Sequence, residues 1–384
     1  MTIGILGGGQ LGRMLALAGY PLGFRFRAMD ASDEAVSAHL SDFHRADFSD
    51  EQALLRFIDG VDVVTYEFEN VPIEAVRFIE QFKPVHPSSH ALGIAQDRLL
   101  EKDFFRSIGI PTPEYHAVDS LDELRRASAL LGFPCVLKTR RMGYDGKGQI
   151  VLRSAEQLND AWRTLGHVPL ILEQYIRYNR EYSIIAARSV SGAFRAYPLA
   201  ENTHAGGILR RTRCPVPEAA TGLEPRAVEA IRAAMTALHY VGVLAIEFFE
   251  VNGQLLANEM APRVHNSGHW TIDATPCSQF ENHLRAITDL PLGETAPFAH
   301  AVMENLIGSI PEVLPVLATP RAHLHLYGKL PLPGRKLGHI TTLADSAGQA
   351  LLVADALRKR IGLPASTPTT HEPSAAEGVN TDVA

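Results

Sequence analysis

Lys138 to Gln149 reads KTRRMGYDGKGQ. The four residues before it, Pro134-Cys135-Val136-Leu137, form an apolar run that reads as a buried strand and delivers Lys138 at its end. Ile150-Val151-Leu152 reads as the returning strand. Between them, two arginines and glycines at 143, 146 and 148 bury poorly, so the stretch is expected to be a mobile loop joining two strands. Glycines let backbone amides approach an anion closely, and Lys138 adds a point charge. A solvated hairpin tip is the competing reading. A second feature raises the functional one: Glu247 and Asn258-Glu259 sit in apolar strands on either side of an Asn252-Gly253 hairpin signal. Carboxylates in such strands are costly unless paired or bound to a metal, and oxygen ligands of this kind suit magnesium beside phosphates. The two features together read as a phosphate clamp with its metal site. One difficulty follows from geometry. A strict two-residue turn sets Glu247 opposite Asn258 and points Glu259 to the other face, so both acids reach one ion only through a bulge or twist.

Directly after the hairpin, Met260-Ala261-Pro262-Arg263-Val264-His265-Asn266-Ser267-Gly268-His269-Trp270 packs Arg, two His, Asn and Ser into one loop. A rigid hairpin would place it, so it is expected to bind substrate, with His269 open to a purely structural role. Near the N-terminus, the strand-like Thr2 to Leu6 leads into Gly7-Gly8-Gly9-Gln10-Leu11-Gly12 and a helix, and Asp30 closes the next strand. Gly7, Gly9, Gly12 and Asp30 match the dinucleotide-binding fingerprint and offer a rival function, a nicotinamide-dependent oxidoreductase. Strands and helices continue to alternate, through Val61 to Tyr66, Ile73 to Phe82 and a strand at Pro84-Val85-His86, which argues for a parallel α/β domain. Further on, Arg226 to Leu238 and Ser278 to Ile287 read as helices, and Glu181 to Ala187 pairs with Ala193 to Leu199. From Leu363 the chain is rich in Pro, Thr, Ser and Ala, and a disordered tail is expected.

At 384 residues the chain is long enough for two or three domains. A net charge of −7 gives no reason to expect a nucleic-acid partner. No apolar run approaches the ~20 residues that span a bilayer, and the start MTIGILGGGQ lacks the features of a signal peptide. Three widely spaced cysteines, 135, 214 and 277, fit reduced thiols, and a cytoplasmic location is expected.

The loop GYDGKGQ, the EQYI segment at 173–176, the Asn258-Glu259 pair and the run MAPRVHNSGHWT at 260–271 together resemble the ATP-grasp superfamily. Within it they resemble the N5-carboxyaminoimidazole ribonucleotide synthetases, biotin-independent carboxylases of purine biosynthesis. The likeness covers roughly residues 2 to 345, and its last run is the most diagnostic. It implies an α/β chain with a Rossmann-like domain at 1–96 and an ATP-grasp domain at 97–292 whose mobile lid spans about 112–177. A small C-terminal domain at 293–362 and the tail at 363–384 complete it.

The resemblance implies that Arg98 and Lys138 contact ATP phosphates, with Gly143, Tyr144, Asp145, Gly146, Lys147, Gly148 and Gln149 folding over them. Glu173, Gln174, Tyr175 and Ile176 would meet adenine, Glu181 the ribose, and His204 would sit near the nucleotide. Glu247 and Glu259 would hold Mg2+, with Asn258 beside them. For the ribonucleotide the matching positions are Gln10, Leu11, Glu67, Tyr144, Asp145, Arg263, His265, Asn266, Ser267, Lys329 and Arg335. Asp145, Arg263, His265 and Lys329 carry the implied chemistry. The implied activity is carboxylation of 5-aminoimidazole ribonucleotide by bicarbonate and ATP through carboxyphosphate, in a homodimer. Another ATP-grasp ligase, such as formate-dependent glycinamide ribonucleotide transformylase, is the alternative, and a non-catalytic nucleotide-binding regulator stands behind it.

Overall fold

The computed structural model describes residues 1–143, 146–216 and 218–364. The expected tail therefore lies, beyond residue 364, outside the described residues, as do Tyr144 and Asp145.

The N-terminal sheet is parallel, in the order Asp42–Arg45, Arg25–Asp30, Thr2–Leu6, Val63–Tyr66. The alternation of apolar strands with amphipathic helices predicts this, because a parallel sheet needs both faces covered. Pro84-Val85-His86 does not become a full strand. Val85 makes a single parallel bridge to Val64, and the prolines at 84 and 87 supply no further ladder donors.

Residues 115–174 form a small unit of their own. Its antiparallel sheet runs Tyr115–Val118, Leu170–Gln174, Cys135–Thr139, Gln149–Leu152. Helices Leu121–Leu131 and Leu158–Leu165 cover one face, around Leu124, Leu137, Leu158 and Leu170. Lys138 and Gln149 are cross-strand partners at the base of the glycine hairpin.

The largest sheet has nine strands among the described residues. Its main path runs Gln254–Ala261, Gly242–Val251, Arg180–Arg188, Ala200–Ala205, Ile208–Cys214, His300–Ile307, Lys336–Ala344, Ala322–Leu326. Phe194–Ala196 pairs with Arg180–Arg188, as expected. The sheet crosses residue 292 without a break, since Ile208–Cys214 hydrogen-bonds to His300–Ile307. The hairpin of Ala200–Ala205 and Ile208–Cys214 is invisible to a hydrophobic pattern, because AENTHA and ILRRTRC are mostly polar.

The N-terminal sheet is fastened to this one through a buried histidine. Val243 N donates to His283 Nδ1 at 3.0 Å, so Nε2 carries the proton and meets Thr65 Oγ1 at 2.8 Å. Burial, with the charge of His86 as a smaller cause, pushes His283 down to about 3, so it stays a neutral strut. Beside it, helix Gln10–Gly19 packs on helix Gln279–Ile287, with Gly19 close against Phe26 and Leu284. No helix among the described residues is long and apolar enough to cross a membrane.

Candidate active site

A cleft of about 690 Å³ opens where the three sheets meet. The acidic hairpin forms its floor. Val251 faces Gln254, and pairing proceeds regularly to Phe248 opposite Ala257. The register then shifts, and Glu247 faces Glu259 with Asn258 as the extra residue. This is the β-bulge that the sequence geometry demands. Lys102, fully buried, donates from Nζ to the Asn258 carbonyl at 2.9 Å and pins the bulge.

Arg98 Nη1 donates to Glu259 Oε2 at 3.0 Å. Burial alone would raise the Glu259 pKa, but Arg98 and Lys138 hold it below the ordinary carboxylate value. Glu247 moves the other way: burial raises it, His204 opposes, and the like charges of Glu259 and Glu181 add to the rise. The Asn258 side-chain oxygen is buried without a hydrogen-bond partner. Two facing carboxylates and an unpartnered amide oxygen form a hard-oxygen set that fits a magnesium ion.

Lys138 leaves its strand toward Glu173, with Nζ 2.9 Å from Oε2. Lys102 Nζ lies 3.6 Å from the same oxygen. Glu173 is buried, which raises its pKa, but the two lysines and Arg98 win and hold it at about 2. The arginines after Lys138 anchor the hairpin. Arg140 grips Asp97 with both Nε–Oδ1 and Nη2–Oδ2 at 2.8 Å, and Arg141 approaches at 3.3 Å. Asp97 also caps helix Arg98–Ser107 by accepting from Leu99 N. One carboxylate thus fixes both the helix that carries Arg98 and the foot of the glycine hairpin. Gly148 has φ +70°, and a Cβ there would lie 2.6 Å from Thr139 Oγ1, so the hairpin needs glycine at that turn.

Glu181 pairs with His204 and with the Tyr178 hydroxyl. Burial disfavours a charged His204, but the hydrogen bond to Glu181 and the charges of Glu181, Glu247 and Glu259 lift it to about 9. Tyr178 stacks on Phe249 at 4.6 Å and 14°, making an aromatic wall beside Glu181.

Across the cleft, Arg263 pairs with Glu69, which is held at about 2 because Arg263 outweighs the cost of burial. His265 Nδ1 meets Ser267 Oγ at 2.8 Å, and its Nε2 lies 3.5 Å from Glu247 Oε1. Burial, then Arg263 and Lys336, push His265 down to about 3, which keeps it neutral. Its backbone is clamped by buried Gln279, which accepts from His265 N at 2.9 Å and donates to its carbonyl at 2.6 Å. Asn266 exchanges hydrogen bonds with Asn305. His269 is fully buried and serves the interior.

The glycine loop at 7–12 is occupied by the protein's own carboxylates. Gly9 N and Gly12 N donate to Glu67, the latter at 2.7 Å, and Gly8 N donates to Asp30 Oδ2 at 2.7 Å. A dinucleotide's pyrophosphate needs these amides. The nicotinamide reading is therefore excluded by charge and by space.

Of the residues expected at the site, Gln10, Leu11, Glu67, Arg98, Lys138, Gly143, Gly146, Gln149, Glu181, His204, Glu247, Asn258, Glu259, Arg263, His265, Asn266 and Lys329 line the cleft. Lys147, Gly148, Gln174, Tyr175 and Ile176 do not line it, and Glu173 lies beneath Lys138. Ser267 is buried and acts through His265. Arg335 also stands off the lining, paired with Glu34 at 2.6 Å. Tyr144 and Asp145 lie outside the described residues. Glu69, Tyr178, Phe249 and Lys336 line the cleft and Lys102 and Gln279 brace it, yet sequence reasoning missed all six.

Comparison with known proteins matches the chain stretch by stretch. Residues 1–96 match the ribonucleotide synthetase preATP-grasp domain, 103–280 the ATP-grasp domain, and 301–351 the phosphoribosylaminoimidazole carboxylase C-terminal domain. The N5-carboxyaminoimidazole ribonucleotide synthase of Pseudomonas aeruginosa is 51% identical over 356 residues, covering 92% of this chain and 98% of that protein. The Bacillus subtilis enzyme of that name is 38% identical over 347 residues, covering 88% and 90%. The crystal structure of the synthetase from Thermus thermophilus superposes with a TM-score of 0.90 at 51% identity, covering 94% of this chain and 98% of that one. An Aspergillus clavatus structure, in complex with ADP and 5-aminoimidazole ribonucleotide, gives a TM-score of 0.87 at 29% identity with the same coverage. The transformylase alternative finds no support in these relatives. With family models matched along the chain and 51% identity to a relative over 92% of its length, the chain belongs to the N5-carboxyaminoimidazole ribonucleotide synthase family.

Proposed function

We propose that the chain carboxylates the exocyclic amine of 5-aminoimidazole ribonucleotide, using bicarbonate and ATP, in de novo purine biosynthesis. The observation that carries the reading is the bulge at Asn258, which sets Glu247 opposite Glu259 in the same cleft as Lys138, Arg98, Arg263 and His265.

Bicarbonate is a poor electrophile, and ATP activates it as carboxyphosphate. Phosphoryl transfer is a matter of positioning and charge neutralisation. Arg98 and Lys138 are assigned to the phosphates, with the hairpin from Gly143 to Gln149 closing over them. Lys138 exchanges Glu173 for phosphate oxygens as it does so. Glu173, Gln174, Tyr175 and Ile176 remain assigned to adenine, and Glu181 to the ribose, with His204 holding Glu181 in place. Glu247, Glu259 and Asn258 would hold Mg2+, which supplies charge neutralisation at the transferred phosphoryl group. A closed hairpin excludes the water that would destroy carboxyphosphate.

The opposite wall takes the ribonucleotide, through Gln10, Leu11, Glu67, Asn266, Lys329 and Arg335. Arg263 and neutral His265 face the carboxylate derived from bicarbonate. Asp145 is assigned to the amine, orienting it or taking its proton. No biotin is required, because the carboxyl group passes directly between two substrates in one cleft. A cytoplasmic homodimer belongs to the same reading, and sedimentation tests the assembly.

Oxygen-18 bicarbonate tests the mechanism. Attack of a bicarbonate oxygen on the γ-phosphorus leaves that oxygen bonded to phosphorus when the C–O bond of carboxyphosphate breaks. Mass spectrometry after a brief incubation with MgATP and the ribonucleotide should find one labelled oxygen in phosphate per product formed. Unlabelled phosphate beside robust product formation would overturn the carboxyphosphate route.

A further inference from the structure

A second cluster of metal-ligating side chains lies outside the cleft lining, where strands Ala322–Leu326 and Lys336–Ala344 pack on the short helix Thr271–Ala274. His323 and His325 are two apart on one strand, so both imidazoles leave the same face. His339 is the direct cross-strand partner of His325. Asp273, its side chain only 8% exposed, meets His325 Nε2 at 2.9 and 3.1 Å, and His323 Nδ1 at 3.6 Å. One donor atom each from Asp273, His325 and His339 lies within 4.8 Å of the others.

An independent observation comes from His339 itself. Its Nδ1 is fixed by the Tyr327 hydroxyl at 2.8 Å, while its Nε2 is buried with no hydrogen-bond partner. In the tautomer that carries its proton on Nδ1 and donates it to the Tyr327 oxygen, the Nε2 lone pair is available. This is the outer-shell support that metal-bound histidines use. We propose that Asp273, His325 and His339 bind one divalent transition ion of the zinc class, with His323 at the rim.

Imidazole and carboxylate donors select such an ion, whereas the oxygen set of Glu247, Asn258 and Glu259 suits magnesium. The two sites therefore sort ions by softness. The rings of His325 and His339 now stack at 4.5 Å and 14°, and one ion cannot lie in two parallel ring planes. Closing the site requires one ring to turn. His325, 29% exposed, is the ring with room to do so. The ion would then tie the C-terminal strand pair to the helix that follows Arg263–Trp270, a structural role distinct from phosphoryl transfer.

The test titrates cobalt(II) chloride into the full chain with millimolar magnesium chloride present, following the visible d–d absorption. One equivalent should bind with micromolar affinity, and zinc chloride should displace it. His325→Ala should weaken binding by about tenfold or more. His325→Gln, which still gives Asp273 a hydrogen-bond donor, should do the same and guards against a folding failure in the alanine variant. The melting temperature without added metal should stay near that of the wild type in at least one variant. No cobalt band in the wild type would overturn the proposal, and so would an unchanged band in either folded variant. The cluster would then be an Asp–His hydrogen-bond network only.

Discussion

Lys138 Nζ lies 2.9 Å from Glu173 Oε2, and Lys102 Nζ lies 3.6 Å from the same oxygen. Two cations share one buried carboxylate, and only Lys138 stands at the cleft. Lys138→Ala should therefore leave Glu173 compensated by Lys102, so the melting temperature changes little. MgATP should bind about 10- to 100-fold more weakly, the range of about 1.5–3 kcal/mol for a hydrogen bond to a charged group. Calorimetry with MgATP checks this, and unchanged affinity would remove Lys138 from the site.

Lys102→Met asks what the bulge is worth. The substitution removes the donor to the Asn258 carbonyl while Lys138 still pairs with Glu173. Looser placement of Glu247 against Glu259 should raise the magnesium concentration needed for half-maximal activity. The fold should survive, because methionine fills a similar volume. If the magnesium dependence matches the wild type, Lys102 does nothing for the floor of the cleft.

Glu259→Gln keeps shape and removes the charge that pairs with Arg98. Turnover should fall and the magnesium requirement should rise. Glu247→Gln separates the two acids. Burial already favours its protonated form, so this variant should cost less stability than Glu259→Gln when no metal is added. Paired denaturant melts, with and without magnesium, provide the comparison.

His204 gives a pH prediction. Burial disfavours its charge, but the hydrogen bond to Glu181 and the surrounding acids lift it to about 9, against 6.5 for the free side chain. A raised folded-state pKa gives stability that is complete below pH 6.5 and lost as pH climbs through 9. The loss should amount to at most ~3 kcal/mol. The melting temperature should fall over that window, and His204→Gln should flatten the fall. An equal slope in the variant would assign the effect to other groups.

Much of this molecule can be read in its sequence, and the parts that cannot share a cause. Alternating apolar runs predict the parallel N-terminal sheet, and three glycines after Lys138 predict the hairpin. The Glu247–Glu259 problem even predicts a bulge, because two acids of wrong parity must be brought to one face. What is missed is polar and buried. Glu101 and Lys102 lie on helix Arg98–Ser107, where no hydrophobic pattern marks charged residues as interior, yet both are buried. Gln279 looks like an ordinary first-turn residue until its amide is found holding the His265 backbone. The 200–214 hairpin has polar residues where a core strand would have apolar ones, because His204 lines the cleft while Arg211 and Arg213 pair with Glu304 and Glu201. Hydrophobic periodicity reports the core well and is silent on a wet interior surface.

Glu67 carries a last consequence. Its carboxylate sits on the amides of Gly9 and Gly12, at the start of helix Gln10–Gly19. A phosphate analogue aimed at that glycine turn competes with an anion that never diffuses away. Tethering gives such a group an effective concentration of millimolar or more. Inhibitor chemistry patterned on dinucleotides therefore starts at a disadvantage here, because the side chain of Glu67 already fills the turn that such a ligand would need.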